Sequence, residues 1–161
     1  MHFTDWKQKA LEMIVTDDDI GRLLAYNTPD ALFKKTISED EAIQLIDKRV
    51  FGFRYIPDPV SEQGSFICLA LNQFEPDEGF RRFSGSYISG YLWVHILVDN
   101  SIFKTDSGYR QDLILERVHD LFEGSTAFGL GELRFESVTE LWQHKNKFGG
   151  YSIGFRMVEM R

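Results

Sequence analysis

The stretch Gly90-Tyr91-Leu92-Trp93-Val94-His95-Ile96-Leu97-Val98-Asp99 is the longest strand-like run in the chain, and it constrains every other element. Side chains alternate across a strand, so Tyr91, Trp93, His95 and Leu97 share one face, and Leu92, Val94, Ile96 and Val98 share the other. Neither face reads as a solvated one, so both require cover. The helix-like run from Ser107 to Phe122 carries Leu113, Ile114, Val118, Leu121 and Phe122 at helical spacing and is expected to lie on the aliphatic face. For the aromatic face two covers are open: the helices predicted near the N-terminus, or a neighbouring subunit.

The chain ahead of this strand changes character near residue 50. Thr4 is a good N-cap, and Trp6, Ala10, Met13 and Ile14 predict a first helix up to about Val15. Thr16, followed by Asp17, Asp18 and Asp19, predicts the capped acidic start of a second helix with Ile20, Leu23 and Leu24 on its apolar side. Ser38-Glu39-Asp40-Glu41 is a capping-box pattern that opens a third. Strand patterns follow at Phe51 to Ile56, Phe66 to Asn72, Tyr87 to Val98, from Leu130 to Phe135 and at Tyr151 to Met157, with Thr139 to Gly150 read as a loop. The last strand has large apolar residues on one face and small or polar ones on the other, which gives it a clear inside. This order predicts an α+β protein: an antiparallel sheet with a long helix packed on one face and a short helical N-terminal region. Residues 1–161 are expected to form a single domain, mostly helical over 1–50 and a sheet-and-helix body over 51–161.

Charge and composition narrow the function classes. A formal net charge of −7 argues against a sequence-independent grip on a phosphate backbone, which needs clustered Lys and Arg. Cys68, the one cysteine, lies inside the apolar run Phe66 to Leu71 and predicts a buried thiol rather than a disulfide or zinc ligand. The N-terminus lacks a signal pattern and no window approaches a membrane span, so the expectation is a soluble protein made in the cytoplasm. His2, His95, His119 and His144 show no metal-ligand spacing, and Gly85-Ser86 has Ile88 where a nucleophile elbow needs its second glycine. The triplet Asp17 to Asp19 lacks the spacing of a calcium loop. No catalytic residue, cofactor or metal is therefore expected.

Two aromatic-basic loops remain, Phe80-Arg81-Arg82-Phe83 and Trp142 to Phe148 with Lys145 and Lys147. Arg and large aromatics are the residue types enriched at protein interfaces, which makes these residues, with Tyr91 and Trp93, candidate contacts. Other readings stand beside this one. The loop rings fold back onto the domain, a small metal-dependent enzyme such as a nuclease uses His95 or His144, or a monomeric adaptor binds one protein partner through Arg81 and Arg82.

Several segments follow in a recognisable order: Asp19-Ile20-Gly21-Arg22-Leu23-Leu24, the junction Lys48-Arg49-Val50-Phe51 with Pro57 following, the strand Gly90 to Asp99, the helix start Gly108-Tyr109-Arg110-Gln111-Asp112, and the closing Phe148-Gly149-Gly150-Tyr151-Ser152-Ile153. Together they resemble the neck and tail-completion proteins of tailed bacteriophages. The resemblance implies a structural virion protein of the head-tail junction, without enzymatic activity. It implies a homo-oligomeric ring, six-fold or twelve-fold, between portal or adaptor proteins and the tail tube. DNA would pass through its channel without specific binding, and the two aromatic-basic loops would contact neighbouring subunits or the tube.

Overall fold

In a computed structural model that describes residues 1–58, 60–77, 85–142 and 147–160, these residues form a five-stranded sheet with the described helices on one side. The N-terminal part holds α1 (Phe3–Thr16), α2 (Asp18–Ala25), a 3-10 turn (Ala31–Phe33) and α3 (Glu39–Ile43). Its helix starts differ from expectation by one or two residues. Thr4 lies inside α1, which His2 precedes without a side-chain cap, and Asp17 rather than Thr16 caps α2 by accepting from the Ile20 amide at 2.9 Å. A carboxylate is the stronger acceptor at a positive helix end, which favours Asp17 over the neighbouring hydroxyl. Ser38 caps α3 as expected, accepting from the Glu41 amide at 3.2 Å.

The sheet contains β1 (Val50–Phe51), β2 (Ser65–Pro76), β3 (Tyr87–Asp99), β6 (Leu130–Trp142) and β7 (Phe148–Met160) in the order β1-β2-β3-β7-β6. The small hairpin β4 (Lys104–Thr105) and β5 (Gly108–Tyr109) leads into α4 (Arg110–Phe122). All neighbours in the large sheet are antiparallel except the short parallel pair β1 and β2. Two strand expectations are corrected. Residues 52–56 are not a strand, because the chain leaves the sheet after Phe51 and Tyr55 folds back to stack on Phe51 at 4.0 Å. Nor is Thr139 to Gly150 a loop throughout: Thr139 pairs with Ser152 and Trp142 with Gly149 in a long hairpin of β6 and β7. Polar residues at the end of β6 and the glycines at the start of β7 hid this pairing, because neither carries an alternating apolar run there.

The central strand β3 alternates buried and half-buried along its length, as its sequence predicts. Its aliphatic face packs with Ile67 and Leu69 of β2 and with Ile153, Phe155 and Met157 of β7. Ile114, Val118 and Phe122 of α4 cover this face together with Ala10 and Ile14 of α1 and Ile20, Leu23 and Leu24 of α2. Each fully buried aliphatic side chain of this kind stabilises the fold by about 1.5–3 kcal/mol. The N-terminal helices thus join α4 on one side of the sheet.

A bulge extends the same layer. Gln73 takes a left-handed φ of 57°, the register shifts between Asn72 and Glu75, and Phe74 turns to the helix side. There its ring meets Phe3 at 4.7 Å and Trp6 at 6.0 Å. Gly90 lies beneath that ring, where any Cβ would come within 2.5 Å of it.

Arg110 ties the helical layer to the body. Its side chain is fully buried, with Nε donating to the Ile102 carbonyl at 3.0 Å, Nη1 to Leu23 and Tyr26 at 2.8 Å each, and Nη2 to Thr28 at 2.9 Å. A guanidinium has donors but no acceptor, and the carbonyls at the end of α2 are otherwise orphaned and carry the negative end of the helix dipole. Burial pushes the Arg110 pKa down, yet an arginine remains charged.

Candidate functional site

Among the described residues, no helix lies on the opposite face of the sheet. That face presents Tyr91, Trp93, His95 and Leu97 of β3, in register with Arg156, Gly154, Ser152 and Gly150 of β7. The small residues of β7 set the shape of this face. Trp93 lies across Gly154, where an added Cβ would sit 2.8 Å from the indole ring. The Trp93 and His95 rings are nearly parallel, 3° apart with centroids at 6.5 Å, and Tyr91 follows at 6.3 Å from Trp93. The outcome is a row of half-buried rings spread over the sheet.

One end of this face has a cover of its own. Phe51, Phe66, Cys68 and Phe148 form a small buried cluster, against which Tyr55 and Leu97 pack. The Cys68 thiol donates to the Tyr55 carbonyl at 3.4 Å, and burial pushes its pKa up, as expected of a structural thiol. The segment that supplies Tyr55 also exposes Phe53 and Ile56 beside it. Their exposure was not foreseen, because Phe51 to Ile56 reads as a strand.

His95 sits where the covered end meets the open row. Burial holds its pKa below the ordinary value, and the charge of Arg54 adds to that effect. The Ser152 hydroxyl lies 2.6 Å from His95 Nδ1, within the reach of a nucleophile and its base. Ser152 is buried, and among the described residues no carboxylate bonds the ring to complete a triad. Among the described residues there is also no group of three or more His, Cys, Asp or Glu that could hold a metal ion.

The face has a basic end. Arg134 of β6 pairs directly with Arg156 of β7, an arrangement of like charges that costs stability in a sheet. Arg156 reaches Asp77 at 3.2 Å. Arg134 is exposed and has no ion pair among the described residues. The sequence signal for both was available in the alternation of their strands, once the inside face was assigned.

Of the residues singled out from sequence, Tyr91 and Trp93 lie together on this face. Lys147 stands at the start of β7 and pairs with the buried Asp99 at 3.0 Å, so it serves an internal contact. Burial would raise the Asp99 carboxyl, but the Ser101 amide and Lys147 hold it below the usual range. Trp142 ends β6 opposite Gly149. Phe80, Arg81, Arg82, Phe83, His144 and Lys145 lie outside the described residues.

No described helix is long and apolar enough to cross a membrane. Compared with known proteins, residues 17–157 match the model of one family, YomW, which is associated with phages. No curated protein matches the chain.

Proposed function

The chain belongs to the phage-associated YomW family, and from that premise we propose that it is a structural protein of the phage head-tail junction, a neck or tail-terminator subunit that works by assembly and not by turnover. It forms a homo-oligomeric ring between the portal side and the tail tube, and DNA passes through it without specific binding. The observation that carries this reading is the face that no described helix covers, with Tyr91, Trp93 and the paired Arg134 and Arg156. Trp, Tyr and Arg are the residue types that dominate binding energy when a partner desolvates them. Like charges held side by side cost the isolated subunit stability, and an acidic partner surface reverses that cost. A second copy supplies such a surface, since the chain carries a net charge of −7.

The test is the assembly state of the purified chain, alone and with portal or tube protein, by sedimentation velocity and negative-stain imaging. A closed ring, weakened by salt and by Trp93→Ala, is the expected result. A persistent monomer that binds neither partner overturns the reading. Turnover of a nucleic-acid substrate that disappears in His95→Ala replaces it with an enzymatic one.

A further inference from the structure

A second recessed site lies on the helix side of the hairpin, away from the aromatic row. Between α4 and the start of β7 is a cavity of about 150 Å³, bordered by Phe103, Leu141, Phe148 and Gly149 and carrying Gln111, Glu140 and Tyr151 as polar lining. Its floor is bare backbone. Gly149 has Phe103 against it, at 3.0 Å from where a Cβ would stand, and Gly150 adopts a φ of 156° with no room for a side chain beside the Ile96 carbonyl. The bare Gly149 therefore leaves the space beside Phe103 open, while Gly150 is required by the close approach of the β3 backbone.

The polar groups around it are mostly acceptors. Gln111 Oε1 is buried and has no protein hydrogen-bond partner among the described residues. Leaving such an acceptor unpaired costs free energy, so the site favours an occupant with N–H donors. The Tyr151 phenol's pKa is raised chiefly by its bond to Asp112 and by burial, with the charge of the lining Glu140 carboxylate adding to the effect. Tyr151 spends its own proton on Asp112, donating to Oδ1 at 2.8 Å, and so offers the cavity an oxygen rather than a donor. Among the described residues, the one ammonium lining the site, Lys147, is engaged by Asp99. Asp112 lies in the first turn of α4, where its charge offsets the positive end of that helix. Among the described lining residues the remaining charge is negative, and Phe103 supplies an aromatic wall.

We propose that this cavity is a receptor for an arginine side chain of a partner protein, with the guanidinium donating to Gln111 Oε1 and Glu140 and its plane against the Phe103 ring. A guanidinium fits better than an ammonium because it presents several donors in a fixed plane and stacks on aromatic faces. A phosphate or carboxylate is disfavoured by Glu140 and by the orphan acceptor. The proposal does not depend on the ring, since the cavity lies on the other side of the sheet from the aromatic row.

The test uses the full chain labelled with nitrogen-15 and titrated with N-acetyl-arginine methylamide, alongside the citrulline analogue, the lysine analogue, spermidine and inorganic phosphate. Saturable shifts at the amides of Gly149 and Gly150 and at the Gln111 side chain are expected with the arginine probe. Affinity should fall about ten-fold in Glu140→Gln and in Gln111→Leu, the loss of one charge-assisted hydrogen bond. Glu140 is exposed on an edge strand, so its variant keeps the fold. Equal binding of citrulline, lysine or spermidine, binding of phosphate instead, unchanged affinity in both variants, or no saturable shift would each overturn the assignment.

Discussion

The two faces of the sheet use the same strand for different ends. Along β3, Leu92, Val94, Ile96 and Val98 are fully buried under three helices, while Tyr91, Trp93, His95 and Leu97, one residue away each time, stay half-buried. The aliphatic side is fixed within the chain, and the aromatic side is finished only in part, by the Phe51 and Phe66 cluster at one end. A sheet of this size can leave one face to solvent, but a solvated face is ordinarily polar. Here it carries rings, and the arginines beside them repel one another. The difference separates residues that hold the subunit together from residues available to a partner.

The sharpest way to break the covered face is through Arg110. Replacing it with Met keeps much of the volume but orphans the carbonyls of Leu23, Tyr26, Thr28 and Ile102. The expected loss is about 3 kcal/mol or more, read from urea denaturation. Arg110→Lys should recover only a small part, since an ammonium cannot span the same set of acceptors. Next comes Leu92→Ala, which opens a cavity under the helices and should cost about 2–5 kcal/mol. Its neighbour gives the contrast. Trp93→Ala should cost roughly 1 kcal/mol in subunit stability, because little apolar area leaves water there. The same change should weaken association about thirty-fold, the cost of losing one central anchor. A Trp93→Ala variant that assembles normally would remove the aromatic row from the interface.

This division was half legible in the sequence. The alternation of β3 and β7 identified two faces, and the spacing of Ile114, Val118 and Phe122 matched α4 to one of them. What alternation could not assign was the side taken by α1 and α2, because that depends on a long-range anchor. Arg110 reaches back more than 80 residues to Leu23, Tyr26 and Thr28, and nothing in its local sequence marks it as buried. The bulge at Gln73 is another case: it reverses which residues of β2 face inward, so Phe74, beyond the strand expected to end at Asn72, belongs to the core. The cavity was illegible for a similar reason. Gln111, Glu140 and Gly149 come from three elements, and none is unusual in its own segment.

The finest test of the contrast is the titration of His95. Burial depresses its pKa, with Arg54 adding to the effect, so the folded subunit resists a proton that the unfolded chain accepts. Stability from this residue is complete above the ordinary value of 6.5 and is lost as pH falls below it, where the unfolded state binds the proton first. Denaturation of the isolated subunit between pH 7.5 and about pH 5 should show a downward slope that is shallower in His95→Gln; carboxylates contribute alike to both proteins, so the difference isolates the imidazole. Covering the face then becomes measurable by the same slope. A partner that seats on Trp93 buries His95 further and depresses its pKa more, so the difference between wild type and His95→Gln must widen in the assembled state. A difference that stays the same on assembly means that the aromatic row remains open to water and that the subunits meet elsewhere.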